Sequence, residues 1–251
     1  MLPHASAWGY FFKMALPQFY HKGIFTKGEE LWLDEDTVRH VLQVLRMQAG
    51  DKIGLTNGEG YAAVAVITKT EKRKCGIVLE NIHFYEPRKC HLHLAVAFTK
   101  NSSRNEWLLE KATELGVSTI IPISAERSEK EKTRYGRWNS ILVSALLQSQ
   151  QYYLPMLLEM TDIKTLTGTY IGVQQKLIGH CIEQNERRPL AEMLKPGCDT
   201  ILLIGPEGDF SQEEVNLCTE NGFKGVSFGW QRLRTETAAM AACAYFNLVN
   251  I

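Results

Sequence analysis

An α/β protein of two modest domains, a small β-rich one followed by a larger one built on a parallel sheet, is what this sequence predicts. Three observations carry that prediction. The 251 residues fall between one and two domains at roughly 150 residues each. Up to about Glu86, short β-branched runs are punctuated by turn residues. Beyond Pro87, short apolar runs alternate with helical patterns, which is how parallel strands and crossover helices read.

In the first region, Asp51-Lys52-Ile53-Gly54-Leu55-Thr56, a turn at Asn57-Gly58-Glu59-Gly60 and the run 61–70 predict a hairpin. Upstream of it, residues 38–47 place Arg39 and Arg46 seven positions apart, on one face of a helix. The pattern changes near Tyr85-Glu86-Pro87-Arg88-Lys89, and the domain boundary is set there. Residues 91–98 then read as a strand, followed by a helix with Ser103-Arg104-Asn105-Glu106 as capping box and Gly116 as stop. The next strand is 119–123. From Arg137 to about Gln151, Trp138, Ile141, Leu142, Ala145 and Leu146 share a helical face, and Pro155 ends the segment. Residues 170–173 and 200–204 are strand candidates. Ser211-Gln212-Glu213-Glu214 opens a helix closed by Gly222, residues 225–229 form a last short strand, and 236–249 is an apolar helix.

Composition narrows the function. Lys plus Arg and Asp plus Glu are both 28, with 10 of each sign up to Pro87 and 18 beyond it. No domain is a polycation, so a nucleic acid would have to be held by a local patch. The longest apolar stretches, 201–204 and 238–244, fall far short of the ~18–20 residues that span a bilayer, and no membrane association is expected. Six scattered cysteines without a CxxC fit reduced thiols and a cytoplasmic location. The opening residues lack the basic start and unbroken apolar core of a secretory signal, so 1–13 reads as a dispensable extension.

Two stretches stand out. In Ile204-Gly205-Pro206-Glu207-Gly208-Asp209-Phe210-Ser211 an apolar strand runs into two glycines, beyond the carboxyl end where open α/β sheets bind ligands. A plain strand-to-helix turn would read the same way. In Phe228-Gly229-Trp230-Gln231-Arg232-Leu233-Arg234-Thr235-Glu236-Thr237, two arginines precede an apolar helix that Thr235 is placed to cap, leaving amides and hydroxyls for a ligand. Capping with solvated arginines is the alternative. Gly225-Val226-Ser227-Phe228-Gly229 matches a nucleophile elbow, but no histidine follows Ser227, so that triad cannot be built and Ser227 is a strand residue. His91 and His93, with Cys90, lack further convergent ligands, and no metal is expected. Neither GxxxxGK nor GxGxxG is present. The mixed-sign run 126–137 reads as a solvated loop in which Arg127, Lys130, Lys132 and Arg134 are placed to touch RNA.

With these residues in view, the sequence resembles the bacterial 16S ribosomal RNA uridine N3-methyltransferase family, within the SPOUT methyltransferases. The likeness is colinear after the extension. It rests on His40-Val41-Leu42-Gln43-Val44-Leu45-Arg46 with Gly50-Asp51, on Glu110-Lys111-Ala112-Thr113-Glu114-Leu115-Gly116-Val117, and on Gln148-Ser149. Gly179-His180-Cys181, the loop 204–211 and Leu233-Arg234-Thr235-Glu236-Thr237-Ala238 complete it. Family members often carry a glycine where Asp209 stands, a leucine at Phe228 and a basic residue at Gln151.

The resemblance implies a PUA-like β-barrel over 14–87 that helps hold RNA, and a SPOUT α/β domain over 88–251 with a deep trefoil knot binding S-adenosylmethionine. It implies a homodimer acting on 16S rRNA of the small ribosomal subunit. Carried over, the cofactor residues are Val173, Gly179, His180, Ile204, Gly205, Pro206, Glu207, Gly208, Phe228, Gly229, Leu233, Arg234, Thr235 and Thr237. Arg234, with Arg232 next in line, is assigned to stabilise the base as it loses its N3 proton, and Glu236 is either the proton acceptor or a capping carboxylate. Arg39, His40, Arg46, Lys100, Arg104, Arg127 and Arg134 are the candidate RNA contacts. Two other readings stay open: a methyltransferase of the same fold acting on another RNA, and a non-enzymatic RNA-binding module.

Overall fold

The computed structural model describes residues 16–128, 134–182 and 186–250. The extension 1–13 and Lys130 and Lys132 lie outside the described residues. Two compact units emerge: residues up to Pro87 together with Leu146–Tyr153, and Arg88–Ala145 together with Leu154 onward. The segment 146–153, which the sequence places in the second domain, therefore groups with the first.

In the first unit, β1 (Gln18–Tyr20), β2 (Glu30–Trp32), β3 (Lys52–Thr56), β4 (Tyr61–Glu71) and β5 (Lys74–Phe84) form a sheet in the order β1-β3-β4-β5-β2. It is antiparallel except for the β1–β3 pair. Among the described residues this is an open path with β1 and β2 as edges, where a barrel was expected. Asn57 builds the β3–β4 turn: its Oδ1 accepts from Glu59 N (2.9 Å) and Tyr61 N (3.2 Å). Ala63, Ala65 and Ile67 alternate inward and pack with Ile53, Leu55, Ile77 and Leu79.

The segment carrying Arg39 and Arg46 departs from its expected form. Asp34 caps α1 (Glu35–Arg39) by accepting from Thr37 N at 2.9 Å. A π-helical turn, His40–Val44, follows, and Arg46 has φ 55. The wider turn and the left-handed residue reset the angular register, so Arg39 and Arg46 do not share an α-helical face. Both are exposed, as is His40. The segment Leu146–Tyr153 joins this unit through Tyr152, whose carbonyl accepts from Gly60 N at 2.9 Å and whose ring stacks on Tyr85 at 3.8 Å.

The second unit holds an all-parallel sheet. Its strands are β6 (Leu92–Val96), β7 (Thr119–Ser124), β8 (Met156–Leu157), β9 (Thr161–Asp162), β10 (Gln175–Gly179), β11 (Arg188–Pro189), β12 (Thr200–Ile204) and β13 (Lys224–Ser227). They run β11-β13-β10-β12-β6-β7-β8, with β9 also on β7. Every residue of β12 is buried, as expected for a strand covered on both faces. Its helices are α2 (Ser102–Glu114), α3 (Tyr135–Gln148), α4 (Ile163–Thr169), α5 (Leu190–Met193), α6 (Gln212–Glu220) and α7 (Thr235–Val249). No helix among the described residues is long and apolar enough to cross a membrane.

Several local readings shift here. The run 170–173 is the C-terminal end of α4 and a turn, and the strand begins at Gln175. Asn101 caps α2 in place of Ser103, accepting from Ser103 N and Arg104 N at 3.0 and 3.3 Å, which makes Arg104 the third residue of the helix. The Ser211 capping box forms with Glu214 as expected. Thr235 is the first residue of α7 and caps nothing; its hydroxyl donates to Gly205 O at 2.9 Å. His91 and His93 meet Ser118 and Thr119 hydroxyls at 3.1 and 3.0 Å. Among the described residues no His, Cys, Asp and Glu group could hold a metal ion. All six cysteines are free, and burial pushes the Cys218 and Cys243 thiols up to about 12.

Candidate active site

Parallel strands end together, so the loops that leave β10, β12 and β13 meet at one edge of the sheet. There they enclose a depression of about 540 Å³ with Arg104 of α2 and the start of α7 on its walls. Of the residues predicted to hold a cofactor, Gly179, His180, Ile204, Gly205, Pro206, Glu207, Phe228, Gly229, Leu233, Arg234 and Thr235 line it. Three do not. Val173 precedes β10 at its opposite end and borders a separate depression. Gly208 faces Arg127, whose Cβ would lie 3.2 Å from a Cβ added there. Thr237 is exposed on α7, outside the depression.

Gly179 and Gly229 are among the lining positions that need glycine. A Cβ on Gly179 would come within 2.7 Å of the Phe228 ring, so the bulk at Phe228 and the absence of a side chain at Gly179 fit each other. Gly229 has φ 121, a backbone conformation side chains resist. Asp209 also has positive φ, 65. Asp tolerates this region, and its carboxylate accepts from Cys181 N at 2.8 Å and Phe210 N at 2.9 Å. Asp209→Ala is therefore expected to destabilise the fold by about 1–2 kcal/mol, and Asp209→Gly by less. Urea unfolding of the two variants checks this; equal losses would assign the whole effect to the lost hydrogen bonds.

His180 is only 5% exposed and its Nδ1 has no hydrogen-bond partner. Burial holds its pKa below the ordinary value, Asp209 opposing and Arg187 adding to the shift, so the ring is neutral near pH 7. Arg187 donates from Nη1 to His180 O at 3.0 Å.

Four arginines line the depression, and their partners differ. Arg232 donates from Nη2 to Glu207 O at 3.2 Å. Arg104 sits 2.8 Å from Glu207 Oε1 through Nη1 and 3.6 Å from Glu236 Oε1 through Nε. Arg234, the N-terminal flanking residue of α7, is exposed; its carbonyl accepts from Ala238 N at 2.8 Å, but its guanidinium has neither hydrogen bond nor ion pair among the described residues. Glu236 is not positioned as the proton acceptor: its Oε2 is buried and the carboxylate turns toward Arg104 instead of lining the depression. Among the other RNA candidates, Arg127 donates to Gly208 O at 3.1 Å, and Lys100 and Arg134 are exposed. Sequence reasoning missed Cys181, Arg187, Asp209, Ser227, Gln231 and Ala238 as lining residues. Cys181, Asp209, Ser227, Gln231 and Ala238 had a signal, since each lies in a stretch the sequence singles out; Arg187 is brought in only by the fold.

Residues 86–247 match the RNA methyltransferase domain, and residues 33–80 the RNA methyltransferase PUA domain. This chain belongs to the RNA methyltransferase family. It is similar to the ribosomal RNA small subunit methyltransferase E of Bacillus subtilis (strain 168), 26% identical over 254 residues covering 94% of this chain and 95% of that protein. Among solved structures it resembles a probable rRNA-methyltransferase from Porphyromonas gingivalis, with TM-score 0.87, 36% identity, and 94% of this chain and 98% of that one covered. It also resembles a ribosomal RNA small subunit methyltransferase E from Neisseria gonorrhoeae bound to S-adenosyl methionine. There the TM-score is 0.84 and identity 28%, again over 94% of this chain and 98% of that one.

Proposed function

We propose that this protein transfers a methyl group from S-adenosylmethionine to N3 of one uridine in 16S rRNA of the small ribosomal subunit, in the cytoplasm. The observation that carries the reading is the unpartnered guanidinium of Arg234 on the wall of a concave site at the ends of three parallel strands. The site suits the cofactor: Ile204, Phe228, Leu233 and Ala238 offer apolar contact, and the orphaned His180 Nδ1 awaits a polar partner. When bound, S-adenosylmethionine supplies an electrophilic methyl on a sulfonium. The protein's own task is to hold a flipped-out uracil in line with that methyl and to stabilise the charge that develops as N3 loses its proton. Arg234 is the group free to do so, with Arg232 second because Glu207 O already engages it.

The same reading extends to the architecture. The SPOUT domain over 88–251 carries a deep trefoil knot whose loops around Val173 to His180, Gly205-Pro206-Glu207-Gly208 and Phe228 to Thr237 contribute to the cofactor site, a PUA-like domain over 14–87 holds RNA through Arg39, His40 and Arg46, and two copies complete each other's sites. Their exposure supports the RNA role of these three residues.

Calorimetric titration with S-adenosylmethionine, then labelled methyl transfer to small subunits lacking the modification, tests the proposal. The expected result is binding followed by transfer to a single uridine, mapped to N3 by mass spectrometry. Binding without transfer would assign another RNA, and absence of binding would leave an RNA-binding module.

A further inference from the structure

We propose that Arg104 is a catalytic residue of this reaction, bearing on the uracil oxygens as the N3 proton leaves, and that the buried Glu236 positions it. The proposal rests on the uridine-methylation reading above. With Asn101 as cap, two residues earlier than the sequence suggests, Arg104 is the third residue of α2 and stands on the wall of the depression. Its guanidinium is shared between two carboxylates of opposite character. Glu207 belongs to the loop after β12 and is 61% exposed; Glu236 belongs to α7 and is 12% exposed.

The two contacts are unequal. At 2.8 Å the Glu207 contact is a full hydrogen bond, whereas 3.6 Å to Glu236 is too long for one. The other oxygen of Glu236 reaches neither solvent nor partner. A buried carboxylate short of hydrogen bonds is costly, and the costs fall when Arg104 turns its fork onto Glu236. An exposed ion pair such as Arg104–Glu207 is worth little and exchanges readily. Glu207 thus occupies the place that an anionic oxygen of the substrate takes when it arrives, and Glu236 keeps the guanidinium aimed while Glu207 is displaced. Arg232 and Arg234 line the same depression and add to the positive field.

The chemistry that suits this arrangement is an imide losing its proton. As the S–CH3 bond breaks and the N3–CH3 bond forms, the N3 proton passes to water at the open mouth, leaving a neutral thioether and a neutral methylated base. In between, negative charge spreads over O2 and O4, where a planar guanidinium is the matching donor.

Steady-state and single-turnover transfer by the full chain on unmodified small subunits tests this, with wild type measured first. Arg104→Ala is expected to lower kcat by about 10²- to 10³-fold with S-adenosylmethionine affinity within about twofold. Its pH–rate profile should move to higher pH, because N3 then deprotonates without the cation. Arg104→Lys should recover part of the rate, keeping charge but not the fork. Glu236→Gln should cost about tenfold in kcat and shift the profile in the same direction by less. Cofactor titration of each variant verifies that it is folded. A raised KM for the subunit and a flatter salt dependence, with kcat and pH profile unmoved, would mean a phosphate contact and overturn the proposal. Wild type that transfers no methyl would instead bring down the functional reading itself.

Discussion

Arg234→Ala is expected to lower methyl transfer by about 10²- to 10³-fold while cofactor affinity stays within about twofold. The asymmetry follows from where the side chain stands. Arg234 flanks α7 in extended backbone, with φ −71 and ψ 157, and its guanidinium carries no partner among the described residues. Removing an exposed, unpaired side chain costs the fold within about 0.5 kcal/mol, so a loss of rate is not a loss of structure. Because the cofactor is itself a cation, a guanidinium gains nothing by contacting its sulfonium. The base in transit to an anion is the ligand it suits. Arg232→Ala should cost less in rate, because its Nη2 already holds Glu207 O. Single-turnover transfer beside calorimetric titration separates the two effects. Unchanged turnover in Arg234→Ala would remove that residue from the mechanism.

The sequence was most legible where one short segment contains all of its own physics. The Asn57-Gly58 turn, the Ser211 capping box and the apolar run 200–204 into Gly205 each determine their conformation locally, and each forms as read. Legibility failed where a distant partner decides. The run 170–173 looks more strand-like than Gln175-Lys176-Leu177-Ile178-Gly179, yet the second segment pairs between β12 and β13. Its polar start is explained by Gln175, whose Nε2 donates to Met193 O and whose Oε1 accepts from Thr200 Oγ1, contacts no window of sequence contains. Val173, which the resemblance places in the cofactor set, lies before that strand at the end away from the depression. Thr235 and Glu236 were both read as helix-start residues, but their side chains reach Gly205 and Arg104, 30 and 132 positions away in the chain. The opening turn of α7 is therefore organised by the loops around it, and the site appears only once β13, β10, β12 and β6 are brought side by side.

The loop Gly205-Pro206-Glu207-Gly208 carries the other large effect, and its two glycines are not equivalent. A Cβ on Gly205 would lie 3.0 Å from the ring of Phe210, which is fully buried, while the Gly205 carbonyl is held by Thr235 at 2.9 Å. Neither neighbour can move away, so the two branches of a valine have only the depression to enter. Gly205→Val is expected to weaken S-adenosylmethionine binding by about 100-fold, nearly 3 kcal/mol, and to destabilise the fold by about 1–3 kcal/mol through overpacking. At Gly208 the nearest atom is the Cβ of the exposed Arg127, 3.2 Å from the added Cβ; the rest of that side chain can rotate into solvent, and the Cβ contact needs the exposed loop to give by only a few tenths of an ångström. Gly208→Ala should therefore bind cofactor within about twofold of wild type. Titration of both variants at matched folded fraction decides between two accounts of this loop. If steric closeness to a rigid core ring is what demands glycine, only Gly205 responds. If the cofactor lies along the whole loop, Gly208→Ala loses affinity as well, and the boundary of the site has to be redrawn to include Arg127.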